Sequence, residues 1–491
     1  MACDQPEAAA DHLAGALTHA PTLPETHELL GRLARRSGGG LDLFPLGPHT
    51  AAGGLAARAH LLAAAGRPEE GLPLLAAASG HTPAADWAGV PWVGDPALGL
   101  RIEPARLVEL VLRLCNAVGD PAPATLRPYL TVVRHAVAAH PDHAMLLGAG
   151  SALARRIGEA GLAIDWAVRG ARTRPSKLAE IWLGYAYRSA GRLPEALAAL
   201  RRAVTHDPAD LSVYADIAAT LADNDRLSDA LAWIDRALQL DPEYDCAVHT
   251  AQRLRYRTDA DVAHLVRLAD FIRDHPDESH EHTDLADACQ AVAWLGGVPA
   301  AAPLPPGNAP AAAAPPTGAV RRMRQVAMLS WPHPPAAYDA AVPLILLAPD
   351  ELLALLAHPP ADVAAVEVWA CLGLLHHGAE EPWPDSSRRR LLLGLVDGGP
   401  DRVTEAALFA LIVSAWVDPE ARADVAAVVT ARLADAAGRR GGRSVAELAL
   451  ATPGLDPATR QLAAAMTRPL AIPRQRGRNR LLPRWRLPYR R

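Results

Sequence analysis

Apolar residues in the middle third of the chain recur at spacings of three, four and seven, which places side chains on one face of an α-helix. Between Lys177 and Asp210 two such stripes follow one another: Leu183, Gly184 and Tyr187, then Ala196, Leu200 and Ala203, before Pro208. The next stretch, Leu211 to Tyr244, repeats the scheme with Tyr214, Ile217, Ala218 and Leu221, then Ala230, Ile234 and Ala237, before Pro242. The pattern predicts two helices per unit and a stop at each Asp-Pro, because proline cannot continue a helix comfortably. Small residues at Gly184, Ala196 and Ala203, and at Ala218, Ala230 and Ala237, allow the paired helices to approach closely. Pro141, Pro175, Pro208, Pro242 and Pro276 stand 34, 33, 34 and 34 residues apart. A period in the thirties marks an array of helical units that bury their apolar faces only by stacking.

These residues resemble the tetratricopeptide repeat (TPR) family, with the two units from Lys177 to Tyr244 carrying its signature positions. One departure is Glu180, where the family usually has a large apolar residue; Trp182, two positions on, is expected to fill that gap. The unit ending at Pro175 is looser, with Gly150, Ser151, Ala163 and Gly170 at the small positions. The unit ending at Pro276 has His264 and Phe271 there instead, as a terminal capping unit would. Upstream, Ala65-Gly66-Arg67-Pro68-Glu69-Glu70-Gly71 echoes Ala190-Gly191-Arg192-Leu193-Pro194-Glu195-Ala196, and Ala16 to Pro21 with His27–Ala34 reads as a half unit. The resemblance is specific over residues 142–276 and suggestive over 7–140. It implies a right-handed superhelix of helix pairs whose concave face binds a peptide or partner helix without turnover. The inner positions are Arg155, Tyr185, Arg188, His249, Arg253 and Tyr256. Arginines mixed with aromatics suit an acidic or carboxylate-bearing partner. The clamp of the chaperone-tail type of TPR domain is not implied, because its positions hold Ile181, Tyr185 and Asp216.

Composition supports an all-α chain: half of the 491 residues are apolar, only 4% are aromatic, and alanine and leucine dominate. Five stretches follow. Residues 1–140 read as divergent helical repeats, and 141–298 as the array with its capping helices. Residues 299–319 carry seven prolines and read as an extended linker. Residues 320–466 read as a smaller helical domain, with helices expected at Ala361–His376, Ser386–Val396, Arg402–Ala415 and Pro419–Ala436. The pair 386–396 with 402–415 is similar to a HEAT-type repeat, and a compact helical domain is an equal reading. Asp418-Pro419 and Asp456-Pro457 are helix starts, an aspartate cap before a first-turn proline. Residues 467–491 form an arginine-rich tail.

That tail holds nine arginines and no acid, so the rest of the chain carries −14 against −5 overall. Arg474, Arg476, Arg478, Arg480, Arg484 and Arg486 with Trp485 and Tyr489 offer a rival site for nucleic acid or an anionic membrane. Lys177 is the only lysine, a bias read as that of a GC-rich bacterial genome. The five cysteines are scattered with no CxxC pair, so neither a disulfide framework nor a zinc ribbon is indicated. His275, His280 and His282 sit among carboxylates, but ligands at i and i+2 diverge on a helix, so a solvated connector is the default over a metal site. The same holds for His376-His377 beside Glu380 and Glu381. No phosphate loop, dinucleotide fingerprint or nucleophile elbow occurs. The expectation is a non-catalytic, cytoplasmic interaction scaffold with no cofactor, no metal and no transmembrane segment.

Overall fold

The computed structural model describes residues 5–118, 124–276, 279–299, 312–398, 401–437 and 442–468, and every regular element in them is helical. The fold is an all-α solenoid-type arrangement. The chain divides into two compact units, Met1–Val248 and His249–Arg491.

The first unit contains α1 (Pro6–His19), α2 (Pro24–Arg36), α3 (Ala52–Ala64), α4 (Pro68–His81), α5 (Pro96–Arg101), α6 (Pro104–Ala117), α7 (Arg127–Ala139), α8 (Ala144–Arg156), α9 (Ala160–Thr173), α10 (Lys177–Ser189), α11 (Leu193–His206), α12 (Leu211–Ala222) and α13 (Leu227–Leu240). The division falls inside α14 (Asp245–Asp259). Helices pair in sequence, α3 with α4, α8 with α9, α10 with α11 and α12 with α13, and the pairs stack, α8 and α9 on α10, and α11 on α12.

The turns inside these pairs are copies of one another. Gly66, Gly158, Gly191 and Asp225 each take a left-handed backbone, with φ of 81°, 83°, 70° and 56°. The next residue then donates its N–H five residues back, Arg67 to Leu62, Glu159 to Ala154, Arg192 to Tyr187 and Arg226 to Leu221, at 2.8–3.0 Å. This bond caps otherwise orphaned carbonyls at the helix end. In three of the four turns the same arginine also pairs with an acid three residues on: Arg67 with Glu70, Arg192 with Glu195 and Arg226 with Asp229.

The small positions behave as expected. Ala196, Ala203, Ala218, Ala230 and Ala237 are fully buried. In the looser unit, Ser151 Oγ reaches the Ala163 carbonyl across the α8–α9 contact at 2.7 Å. Trp182 is buried and lies flat on Gly148 of α8, where a Cβ would fall 1.8 Å from its ring. Glu180 is buried instead of apolar because Arg202 of α11 donates two hydrogen bonds to it, at 2.9 and 3.0 Å. Asp207 and Asp241 end α11 and α13 just before Pro208 and Pro242. Lys177 then bridges Asp207 and Asp210, each at 2.7 Å, across the junction between two repeats.

The second unit contains α15 (Val262–Asp274), α16 (Ser279–Gln290), α17 (Thr317–Val326), α18 (Pro334–Ala341), α19 (Pro349–Ala357), α20 (Val366–Leu375), α21 (Ser387–Val396), α22 (Arg402–Val417), α23 (Arg422–Ala436), α24 (Gly442–Leu450) and α25 (Pro457–Thr467). Its centre is α22, buried on every side from Val403 to Trp416, as a helix apolar all round must be. Trp294 and Trp331 pack on Phe409 with ring centroids 5.3 and 5.9 Å apart. Val262, Leu265, Leu268 and Ile272 of α15 belong to this same core. Asp270 and Asp261 are tied to Arg422 and Arg460, both at 2.9 Å.

The compact units therefore divide at 248/249, rather than at the expected proline-rich linker 299–319. The reason is side-chain volume: α15 offers large apolar residues that fill a core with Trp294 and Leu295. Of the linker, residues 300–311 lie outside the described residues. The expected helix Ala361–His376 begins only at Val366, because Ala365 takes a left-handed backbone with φ of 53°. The stretch expected as helix from Pro419 opens with a 3-10 turn, Pro419–Ala421, before α23. Asp418 and Asp456 cap their helices as read from the sequence.

Candidate functional site

Successive helices of the first unit present polar side chains beside one another around a cleft of about 520 Å³. Arg155 and Arg156 end α8, Tyr185, Arg188 and Ser189 end α10, and Asp223 caps α12. The Arg155 guanidinium sits over the Tyr185 ring, 5.8 Å from its centroid, a cation–π arrangement. Arg156 donates to the Val118 carbonyl at 3.1 Å, which fixes its stem against the wall.

Two carboxylates supply counter-charge. The Tyr185 hydroxyl donates to Asp216 Oδ2 at 2.7 Å, and Arg188 donates to Asp223 Oδ2. Burial pushes the Asp216 carboxyl up to about 6, against the opposing pull of the Tyr185 hydrogen bond and the Arg188 charge. Burial and the neighbouring Asp216 raise the Tyr185 phenol. Chemically, the cleft offers guanidinium donors and an aromatic face, with one acid competing for each of Tyr185 and Arg188. It can take a carboxylate or phosphate through charge-assisted bonds.

Of the six inner residues read from the sequence, the structure brings Arg155, Tyr185 and Arg188 together here. The other three belong to the second unit and do different work. His249 is buried, 2% exposed, with Nδ1 3.4 Å from Asp284 Oδ2, so it presents no groove surface. Arg253 donates to the other oxygen of Asp284 at 2.7 Å. Tyr256 packs against the core of its unit, and burial pushes its phenol up to about 12.

Asp223 was not legible as a cleft residue, and Asp216 was legible only as a departure from another clamp. A usable signal was present: Tyr185–Asp216 and Arg253–Asp284 are both 31 residues apart, and Arg188–Asp223 are 35 apart. Donor-to-acid spacings near one repeat length mark pairs between neighbouring units. The tail residues Arg474, Arg476, Arg478, Arg480, Arg484, Trp485, Arg486 and Tyr489 lie outside the described residues, as do the side chains of His280 and His282. His275 stacks on Phe271 with ring centroids 4.2 Å apart. His376 packs on Tyr338 and contacts its carbonyl at 2.9 Å. Cys115, Cys289 and Cys371 are buried and none is joined in a disulfide.

Several solved structures align with parts of the chain. YrrB, described as a TPR protein with an unusual peptide-binding site, is 18% identical over 38% of this chain and 91% of its own, with a TM-score of 0.28. A thermophilic TPR protein of Thermus thermophilus is 20% identical over 42% of this chain and 98% of its own, at 0.26. The C-terminal part of a TPR repeat-containing protein from Cytophaga hutchinsonii is 12% identical over 57% of this chain and 99% of its own, at 0.29. No curated protein matches the chain. A family model described as tetratricopeptide repeat matches residues 187–254, the stretch from the end of α10 into α14.

Proposed function

We propose that the chain is a non-catalytic interaction scaffold whose first unit holds an acidic peptide segment of a protein partner. The observation that carries this is the cleft at the ends of α8, α10 and α12, where three arginines and Tyr185 converge. Arginine forks match carboxylates bidentately, and the two local acids set a threshold that only a ligand richer in negative charge overcomes. The ligand's carboxylate takes the place of Asp223 on Arg188, while its backbone lies over the Tyr185 ring. Nothing in this arrangement moves a proton or attacks a bond, so binding is the whole of the mechanism. The buried thiols Cys115, Cys289 and Cys371, outside any disulfide, fit a reducing, cytoplasmic setting.

The test is selection of peptides from a displayed random library on the full chain, followed by calorimetry with the selected sequences. Acidic sequences are expected, with affinity falling at least tenfold in an Arg155→Ala/Arg188→Ala double variant whose circular dichroism is unchanged. Peptides that bind the double variant as tightly as the parent would remove the cleft from consideration.

A further inference from the structure

Tyr185 and Arg188 of α10 each meet an acid on α12 or at its end. The Tyr185 hydroxyl donates to Asp216 Oδ2 at 2.7 Å, and Arg188 donates to Asp223 Oδ2. The donors are three residues apart and the acids seven, spacings that keep each pair on one helical face. The two acids are not equivalent. Asp223 lines the cleft, and its side chain is 54% exposed, so it can turn into water when a ligand takes Arg188. Asp216 stands outside the lining and meets the cleft through the Tyr185 hydroxyl.

The surroundings of Asp216 set its charge. From α10 the Tyr185 hydroxyl and the Arg188 guanidinium favour the carboxylate, while Asp210, at the start of α12 and tied to Lys177 at 2.7 Å, opposes it. The helices α11 and α13 also pack on α12, and their buried residues are all alanine, leucine, isoleucine or valine, which offer a carboxylate no donor. Burial outweighs the two favourable partners and pushes the carboxyl up to about 6. Ionised, Asp216 accepts the Tyr185 O–H and adds a second negative charge beside Arg155, Arg156 and Arg188. Protonated, it becomes a donor to the phenol oxygen, and the phenol O–H can turn to the cleft. A ligand carboxylate then meets three guanidiniums, one remaining acid and one further donor.

We propose that Asp216 couples ligand binding at this cleft to a proton: an acidic peptide is held tightly when Asp216 is protonated and weakly when it is ionised. The inference rests on the reading of the cleft as an acidic-peptide site and adds its regulation. The proton is exchanged with solvent alone, and none passes to or from the ligand, so binding remains the whole of the mechanism. Coupling is reciprocal: a bound carboxylate strengthens proton binding at Asp216 by the same factor as the proton strengthens peptide binding. Asp216 thus decides how sharply the cleft discriminates against negative charge, although it touches no ligand itself.

The experiment is calorimetry of the full chain with an acetylated hexa-aspartate peptide at pH 5.5, 6.5 and 7.5, in two buffers of different ionisation enthalpy. With about tenfold coupling, the peptide binds about fivefold tighter at pH 5.5 than at pH 7.5 and takes up about half a proton at pH 6.5. Asp216→Asn is expected to keep the tight binding at pH 7.5 and to lose the proton uptake. Tyr185→Phe removes a bond that favours the carboxylate, so it should move the midpoint of the pH dependence upward; it gives a second reading should Asp216→Asn fail to fold. Two results overturn the proton coupling and leave the cleft as the peptide site. One is binding that Arg155→Ala/Arg188→Ala abolishes but that is equal at pH 5.5 and 7.5. The other is a pH dependence and proton uptake unchanged in Asp216→Asn. No binding of the peptide by the parent at any of the three pH values overturns the reading of the cleft and the coupling with it.

Discussion

Replacing Asp216 by asparagine should remove a specific piece of the pH dependence of stability. The carboxyl is largely buried against α10 and its folded-state value is about 6, against an ordinary 3.8. Asparagine keeps the size of the side chain and an oxygen to accept the Tyr185 hydroxyl bond, 2.7 Å in the parent. A carboxyl raised on folding contributes stability fully present below its unfolded value, and that stability is lost as pH rises through the folded value. Raising the carboxyl from 3.8 to about 6 corresponds to about 3 kcal/mol, so the parent should lose about that much relative to the variant between pH 4 and pH 7.5. Urea unfolding of both proteins, followed by circular dichroism at half-unit steps of pH, gives the difference directly, and titrations common to both cancel. The two curves should meet near pH 4 and separate in favour of Asp216→Asn as pH rises. A constant difference would refute the reasoning. A parent more stable than the variant at pH 7.5 would mean that Arg188 and Tyr185 outweigh burial at this carboxyl.

In the second unit, Glu405 is 2% exposed, accepts the Ser444 hydroxyl, and is pushed by burial up to about 7 from 4.5. Glu405→Gln should therefore remove a pH-dependent loss of similar size, about 3 kcal/mol, that runs from pH 4.5 through 7 in the same unfolding series. Gly148→Ala should destabilise by about 2 kcal/mol, because its Cβ would fall 1.8 Å from Trp182, and a companion Trp182→Leu should recover part of the shift in the urea midpoint. Gly191→Ala meets nothing within 4 Å but sits at φ +70°, so it should cost about 1 kcal/mol of backbone strain alone. Gly191→Asn should cost less, as the equivalent Asp225 indicates, and equal costs for the two substitutions would contradict the strain account.

The features legible in the sequence are those decided within one repeat. Helical spacing placed Ala196, Ala203, Ala218, Ala230 and Ala237 at the closest approaches, where all five are buried. The Ala-Gly-Arg echo at 65–67 and 190–192 falls on two like turns, where both glycines take a left-handed backbone, φ of 81° and 70°, with the same capping bond. What the sequence concealed depends on two repeats at once. Glu180 looked like a flaw because its partner, Arg202, is 22 residues away on another helix. Asp223 drew no notice because the arginine it neutralises lies one repeat earlier.

The division of the chain was hidden for a related reason. Pro276 keeps the period, so the spacing runs on into α15, past the point where packing changes. Spacing measures how long each helical unit is, and that is set locally by caps and prolines. Membership of a core is set by volume: Leu265, Leu268 and Ile272 are too large for a close helix pair of the kind that Ala230 and Ala237 allow. They are suited instead to a wide core with Trp294, Leu295 and the helix Arg402–Val417. The same comparison separates the six inner positions. Small residues in the first unit bring the ends of α8 and α10 close enough for Arg155 to reach Tyr185, whereas the bulkier second unit buries His249 and turns Arg253 onto Asp284.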